Sequence, residues 1–121
     1  MKVKIDTKEK FHVISIQEAN LSANMTEELM NKLRAILEEE VKNVVLNLRG
    51  VETMDVTCAE EIASIQQSFY DKGYSFVICE AGKALDGFLD REELLETMNI
   101  VPTESEAGDM VMMEEIEREM F

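Results

Sequence analysis

The stretch Val44-Val45-Leu46-Asn47-Leu48 constrains this chain more than any other. Five residues, nearly all apolar and closed by Gly50, predict a central strand covered on both faces, or at least flanked on both edges. The segments around it alternate between two periods. Lys2 to Ile5 and Phe11 to Ile16 are short runs rich in Val, Ile and Phe, and the polar Asp6 to Lys10 between them predicts a hairpin. From Met25 the period moves to about 3.6: Met25, Leu29, Leu33, Ile36 and Leu37 fall on one stripe of an amphipathic helix. Asn24, with Glu27 three residues on, has the spacing of a capping box at its start.

A second helix is expected over Thr57 to Lys72, where Cys58, Ile62, Ile65 and Phe69 recur at helical spacing, with Gly73 as its left-handed stop. Tyr74 to Cys79 follows as a strand. Ala81 to Met98 holds a shorter apolar series broken by Gly87, which predicts one or two short helices, and Ile100-Val101 before Pro102 is a candidate edge strand. Glu104 to Met120 is helical, and Met112, Ile116 and Met120 at i, i+4 and i+8 are expected to dock it on the domain. This order predicts an α/β fold: a mixed, mostly parallel sheet of four to five strands with an N-terminal hairpin and about four helices. At 121 residues without repeat or linker, a single domain over residues 1–121 is expected.

Composition narrows the function. With 45% hydrophobic and 31% charged residues the chain is neither disordered nor a disulfide scaffold. Twelve Lys and Arg against 26 Asp and Glu give a net charge of −14, which repels a nucleic-acid duplex and an anionic bilayer. Without a signal peptide or an apolar run of about 18 residues, a cytoplasmic protein with no membrane insertion is expected. Cys58 and Cys79 are expected as reduced thiols. One histidine, His12, removes most metal sites and most Ser/His or Cys/His nucleophile arrangements. Neither GxxxxGK[ST] nor GxGxxG occurs, so no cofactor, metal or catalytic residue is expected. The acidic runs Asp86 to Glu93, Glu38 to Glu40 and Glu114 to Glu119 fit solvated helix faces, and the nine methionines fit core filling, the C-terminal helix being the exception that would suit a binding surface.

One junction stands out. Glu52 to Glu60 lies between the central strand and the second helix, where α/β folds place ligand and partner sites. Thr57 and Glu60 have capping-box spacing, so Thr57 is either the helix cap or a phosphoacceptor whose phosphate would meet the positive end of the helix dipole.

At this point the residues resemble a family over nearly the whole length. Asn20-Leu21-Ser22-Ala23 is similar to a G-x-L-D-A loop, VVLNLRGVETMD to a central strand with its terminal Asp, and YSFVICEAGKAL with the later Ile100 to Ala107 to a closing pattern. In this order they resemble the STAS domain, the fold of bacterial anti-sigma factor antagonists and of sulfate transporter tails. The family's D-S-[ST]-G corresponds to Asp55-Val56-Thr57-Cys58, where Asp55 and Thr57 match while Val56 and Cys58 depart.

The resemblance implies a non-enzymatic module that binds a serine/threonine kinase acting as anti-sigma factor, is switched by phosphate on Thr57, and leaves room for a phosphatase. The alternative it implies is a constitutive STAS subunit of an ABC transport system or signalling scaffold, bound to a related ATPase subunit without phosphorylation. The partner face is expected to combine Leu21, Ser22, Ala23 and Asn24 with Asp55, Val56 and Cys58 around Thr57. An enzymatic alternative rests on Cys58 as a thiol near a helix N-terminus, but its phase with Ile62, Ile65 and Phe69 turns it inward.

Overall fold

The computed structural model describes residues 1–120. Strands β1 (Val3–Thr7) and β2 (Phe11–Ile16) form the expected hairpin. They are followed by β3 (Asn20–Leu21), α1 (Thr26–Ala35), β4 (Asn43–Asn47), β5 (Thr53–Met54), α2 (Val56–Asp71) and β6 (Phe76–Cys79). Then come α3 (Lys83–Arg91), α4 (Leu95–Met98) and α5 (Glu104–Met120). The main sheet runs β1-β2-β4-β6, with β1 antiparallel to β2 and every other pair parallel. Ile100-Val101 does not form a strand; Val101 makes a single parallel bridge to Cys79. A separate two-stranded parallel pair, β3 with β5, has no counterpart in the sequence expectations, because two-residue strands carry no period to read.

Strand alternation divides the core in two. On one face Ile14, Leu46 and Ile78 stand in register and pack with Leu29 and Leu33 of α1 and Ile62 and Phe69 of α2. On the other face Val13, Val45 and Val77 form the corresponding row, covered by Ala107 and Val111 of α5. The central position of β4 is therefore as expected: all five residues are buried.

His12 is a satisfied core residue: its Nε2 lies 2.8 Å from the Val41 carbonyl and its Nδ1 2.8 Å from the Thr7 hydroxyl. A carbonyl can only accept, so Nε2 carries the proton.

The expected start of α1 is corrected. Asn24 does not cap α1. A 3₁₀ turn over Ala23–Met25 precedes the helix, Met25 holds the cap position, and no side chain caps it. The extra turn moves the start past Asn24, whose side chain is left in solvent.

The docking of α5 also differs. Met112, Ile116 and Met120 point outward, at 39%, 55% and 70% exposure, and the buried residues are Ala107, Gly108 and Val111. Small residues win because they let the helix axis approach the sheet. A Cβ on Gly108 would lie 3.0 Å from the Phe11 ring. The rest of the attachment is polar. Asn43 Nδ2 donates to Glu115 Oε1 (2.8 Å) and Asn47 Nδ2 to Glu104 Oε1 (2.9 Å), so the two end residues of β4 hold the two ends of α5.

Candidate functional site

The two segments expected to form one face are joined by backbone. Asn20 pairs with Thr53 and Leu21 with Met54, and the Asp55 amide donates to the Leu21 carbonyl at 2.8 Å. Ala19 O accepts from both Glu52 N (2.7 Å) and Thr53 N (3.0 Å), and Thr53 Oγ1 donates to Asn20 Oδ1 at 2.6 Å. This small pair of strands fixes the loop before α1 beside the start of α2, and the 3₁₀ turn Ala23–Met25 packs against α2.

At the start of α2 the cap is Asp55, not Thr57. Asp55 is extended (φ −69°, ψ 144°) and its Oδ1 accepts from Thr57 N at 2.9 Å. The acid wins because it sits just outside the helix, where an extended backbone turns a short carboxylate back onto the first amides. Thr57 is one residue inside the helix, with its hydroxyl free of the capping role. It is exposed, as are Ser22, Ala23 and Asn24, and Val56 shows 37% of its surface.

Two residues expected at the partner face lie beneath it. Leu21 is 1% exposed and Cys58 0%. Leu21 pins the loop to the core, and Cys58 points inward toward Thr26 at the start of α1. The thiol therefore fills the space under the helix start without adding bulk to the surface where the family pattern has glycine. Burial pushes its pKa up, the neighbouring Thr26 hydroxyl offsets part of that, and the Asp55 and Glu61 carboxylates raise it further. A nucleophilic cysteine needs access and a stabilised thiolate, and Cys58 has neither. The Thr26 hydroxyl is itself buried and makes no regular hydrogen bond. Cys79, also a free thiol, is pushed up to about 12 by burial and by the Glu80 and Glu104 carboxylates.

Electrostatically the face is acidic at its rim, with Glu52, Glu60 and Glu61 exposed around the half-buried Asp55. Among the described residues no group of three or more His, Cys, Asp or Glu is placed to hold a metal ion, and no helix is long and apolar enough to cross a membrane. In a cleft of about 230 Å³ between the far half of α2, α4 and α5, several of the polar lining groups are already paired with one another. Gln66 donates to the Phe76 and Met98 carbonyls, and the Tyr70 hydroxyl to Glu114. Sequence reading missed Gln66, Asn43, Asn47 and Ser75 as fixed polar positions. Their signal was a polar residue inside or beside an apolar run.

A family model described as STAS domain matches residues 2–107. No curated protein matches the chain by sequence. Among solved structures, the anti-sigma factor antagonist SpoIIAA in its unphosphorylated form superposes with a TM-score of 0.72 at 17% identity, over 91% of this chain and 96% of that one. An anti-sigma factor antagonist from Mycobacterium paratuberculosis gives 0.76 at 18% identity, covering 91% and 92%. RsbS of Moorella thermoacetica, carrying a serine-to-glutamate substitution, gives 0.74 at 20% identity, covering 92% and 95%. At such identities these structures establish a shared fold.

Proposed function

Because the chain belongs to the STAS domain family, we propose that it is a partner-switching module: an anti-sigma factor antagonist that binds a serine/threonine kinase anti-sigma factor and is released by phosphate on Thr57. The observation that carries the reading is the convergence of Ser22, Ala23 and Asn24 with Asp55, Val56 and Thr57 on one exposed surface, with the Thr57 hydroxyl not used by the fold. Val56 offers an exposed apolar side chain there. A phosphate of charge about −1.5 to −2 on Thr57 would stand among Asp55, Glu52, Glu60 and Glu61, where it repels an acidic partner surface and adds desolvation cost in a close interface. The buried Cys58 leaves the surface open to approach.

The test uses three substitutions in the full chain, incubated with a serine/threonine kinase anti-sigma factor and ATP. Wild type and Thr57→Ser should bind and take up phosphate at residue 57 by mass spectrometry. Thr57→Ala should bind and stay unmodified, and Thr57→Asp should bind more weakly. If Thr57→Asp binds as tightly as wild type and no phosphate is found on Thr57, the switch fails. A second reading then takes over, a constitutive STAS subunit contacting an ATPase, for which the exposed Val56 is the favouring observation, since an apolar side chain suits a permanent interface.

A further inference from the structure

Helix α5 carries an apolar stripe that the fold does not use. Met112, Ile116 and Met120 follow one another at i, i+4 and i+8, and Met113 lies beside them. All four are exposed, Met113 at 62%. Ala107, Gly108, Val111 and Arg118 occupy the opposite side of the helix, toward the sheet, so a rotation of α5 that buried the stripe would turn Ala107 and Val111 out to solvent and break the Arg118–Ser75 bond.

The stripe is bordered by one sign of charge. By helical spacing Glu119 runs along one side, Glu106 and Glu117 along the other, and Asp109 stands at its N-terminal end. Among the described residues none of these four carboxylates has an ion-pair partner. Arg118, the one base of α5, is turned to the sheet, where its Nη2 donates to Ser75 Oγ at 2.6 Å and its Nη1 to Glu115 Oε1 at 3.2 Å.

We infer that this outward face of α5 is a second docking surface whose occupant is a basic amphipathic helix of a partner protein. The charge pattern selects that occupant. A second copy of this chain would bring four more carboxylates against these four, in either orientation, and like charges across an interface are repulsive. An anionic bilayer is repelled by the same groups and by the net charge of −14. A helix with an apolar face flanked by Lys or Arg meets both features together, and three methionines give a face that adapts to different apolar partners. The surface lies on the side of the sheet away from α1 and α2, so it leaves the Thr57 face free.

The test is titration of the full chain with a fluorescein-labelled synthetic helix of three heptads, leucine at positions a, d and e and lysine elsewhere. A scrambled peptide of the same composition serves as control. The patterned peptide should bind with a dissociation constant on the order of micromolar, and the scrambled one at least about tenfold more weakly. Met113→Gln with Ile116→Gln should cost at least about tenfold with thermal unfolding unchanged. Asp109→Gln with Glu117→Gln and Glu119→Gln should weaken binding and flatten its salt dependence. Thr57→Asp should leave it unaltered. Equal binding of both peptides, or indifference to the Met113 and Ile116 substitutions, would overturn the inference. So would a wild-type dimer in sedimentation that Ile116→Gln dissolves, or Ile116-dependent binding to phosphatidylcholine vesicles that exceeds peptide binding.

Discussion

Asp55 caps α2 while Thr57 is free of that duty, so the two side chains should separate cleanly in unfolding experiments. Asp55→Ala should lower stability by about 1 kcal/mol through loss of the bond to the Thr57 amide. Thr57→Ala should stay within about 0.5 kcal/mol of wild type, as an exposed substitution that removes no cap. Urea titration of both variants checks this, and equal losses would mean that Thr57 shares the cap. The thiols make a second residue-level prediction. Cys79 rises from the ordinary thiol range near 8.5 to about 12, and Cys58 is raised as well, because burial disfavours the thiolate. Both states are protonated below about pH 8.5, so no stability is lost there. As pH climbs from there the unfolded chain ionises first, binds fewer protons than the native one, and becomes favoured. Between about pH 8.5 and 10, below ordinary tyrosine ionisation, stability should therefore fall, and Cys79→Ala should reduce the slope. A wild-type profile that is flat to pH 10 would contradict this.

At the scale of elements, α5 is a lid over the second face of the sheet rather than an appendage. Deleting everything after Thr103 would uncover Val13, Val45, Val77 and Cys79 and remove Val111, side chains each worth roughly 1.5 to 3 kcal/mol when fully buried. The truncated chain should lose several kcal/mol or fail to fold, whereas Met112→Gln with Met120→Gln should leave the unfolding midpoint in place. Close approach at Gly108 supplies a sharper test. Gly108→Leu forces a side chain into the space held by the Phe11 ring, and overpacking of that kind costs about 1 to 3 kcal/mol. Pairing it with Phe11→Ala should recover part of the loss. If Gly108→Leu is neutral in chemical denaturation, the helix is not seated as tightly as the geometry indicates.

For the molecule as a whole, 26 acidic against 12 basic residues mean that folding gathers like charge into a small volume. Raising sodium chloride from about 10 mM to 0.15 M shortens the screening length from about 30 to 8 Å. The thermal midpoint should rise across that range, and a midpoint independent of salt would show that the charges are locally compensated. A local period or a local run specifies much of this fold in advance. The strand over Asn43–Asn47 announces itself in VVLNL, α2 in Cys58, Ile62, Ile65 and Phe69, and the start of α5 at Glu104 was legible to the residue. The junction at Asp55 to Thr57 was legible too, as a polar break between a buried strand and a buried helix stripe. Tertiary structure alone set which side chain caps the helix there. Asp55 takes the cap because β5 pairs with β3 and sets its backbone extended, a contact between residues more than thirty apart that no local spacing encodes. The face of α5 was decided in the same way. Met112, Ile116 and Met120 have the better apolar spacing, but Ala107 and Gly108 fit the distance to Phe11, and Asn43 and Asn47 hold the helix there by hydrogen bonds. Hydrophobic period states which residues favour burial. Shape and polar satisfaction across distant strands determine which of them are buried.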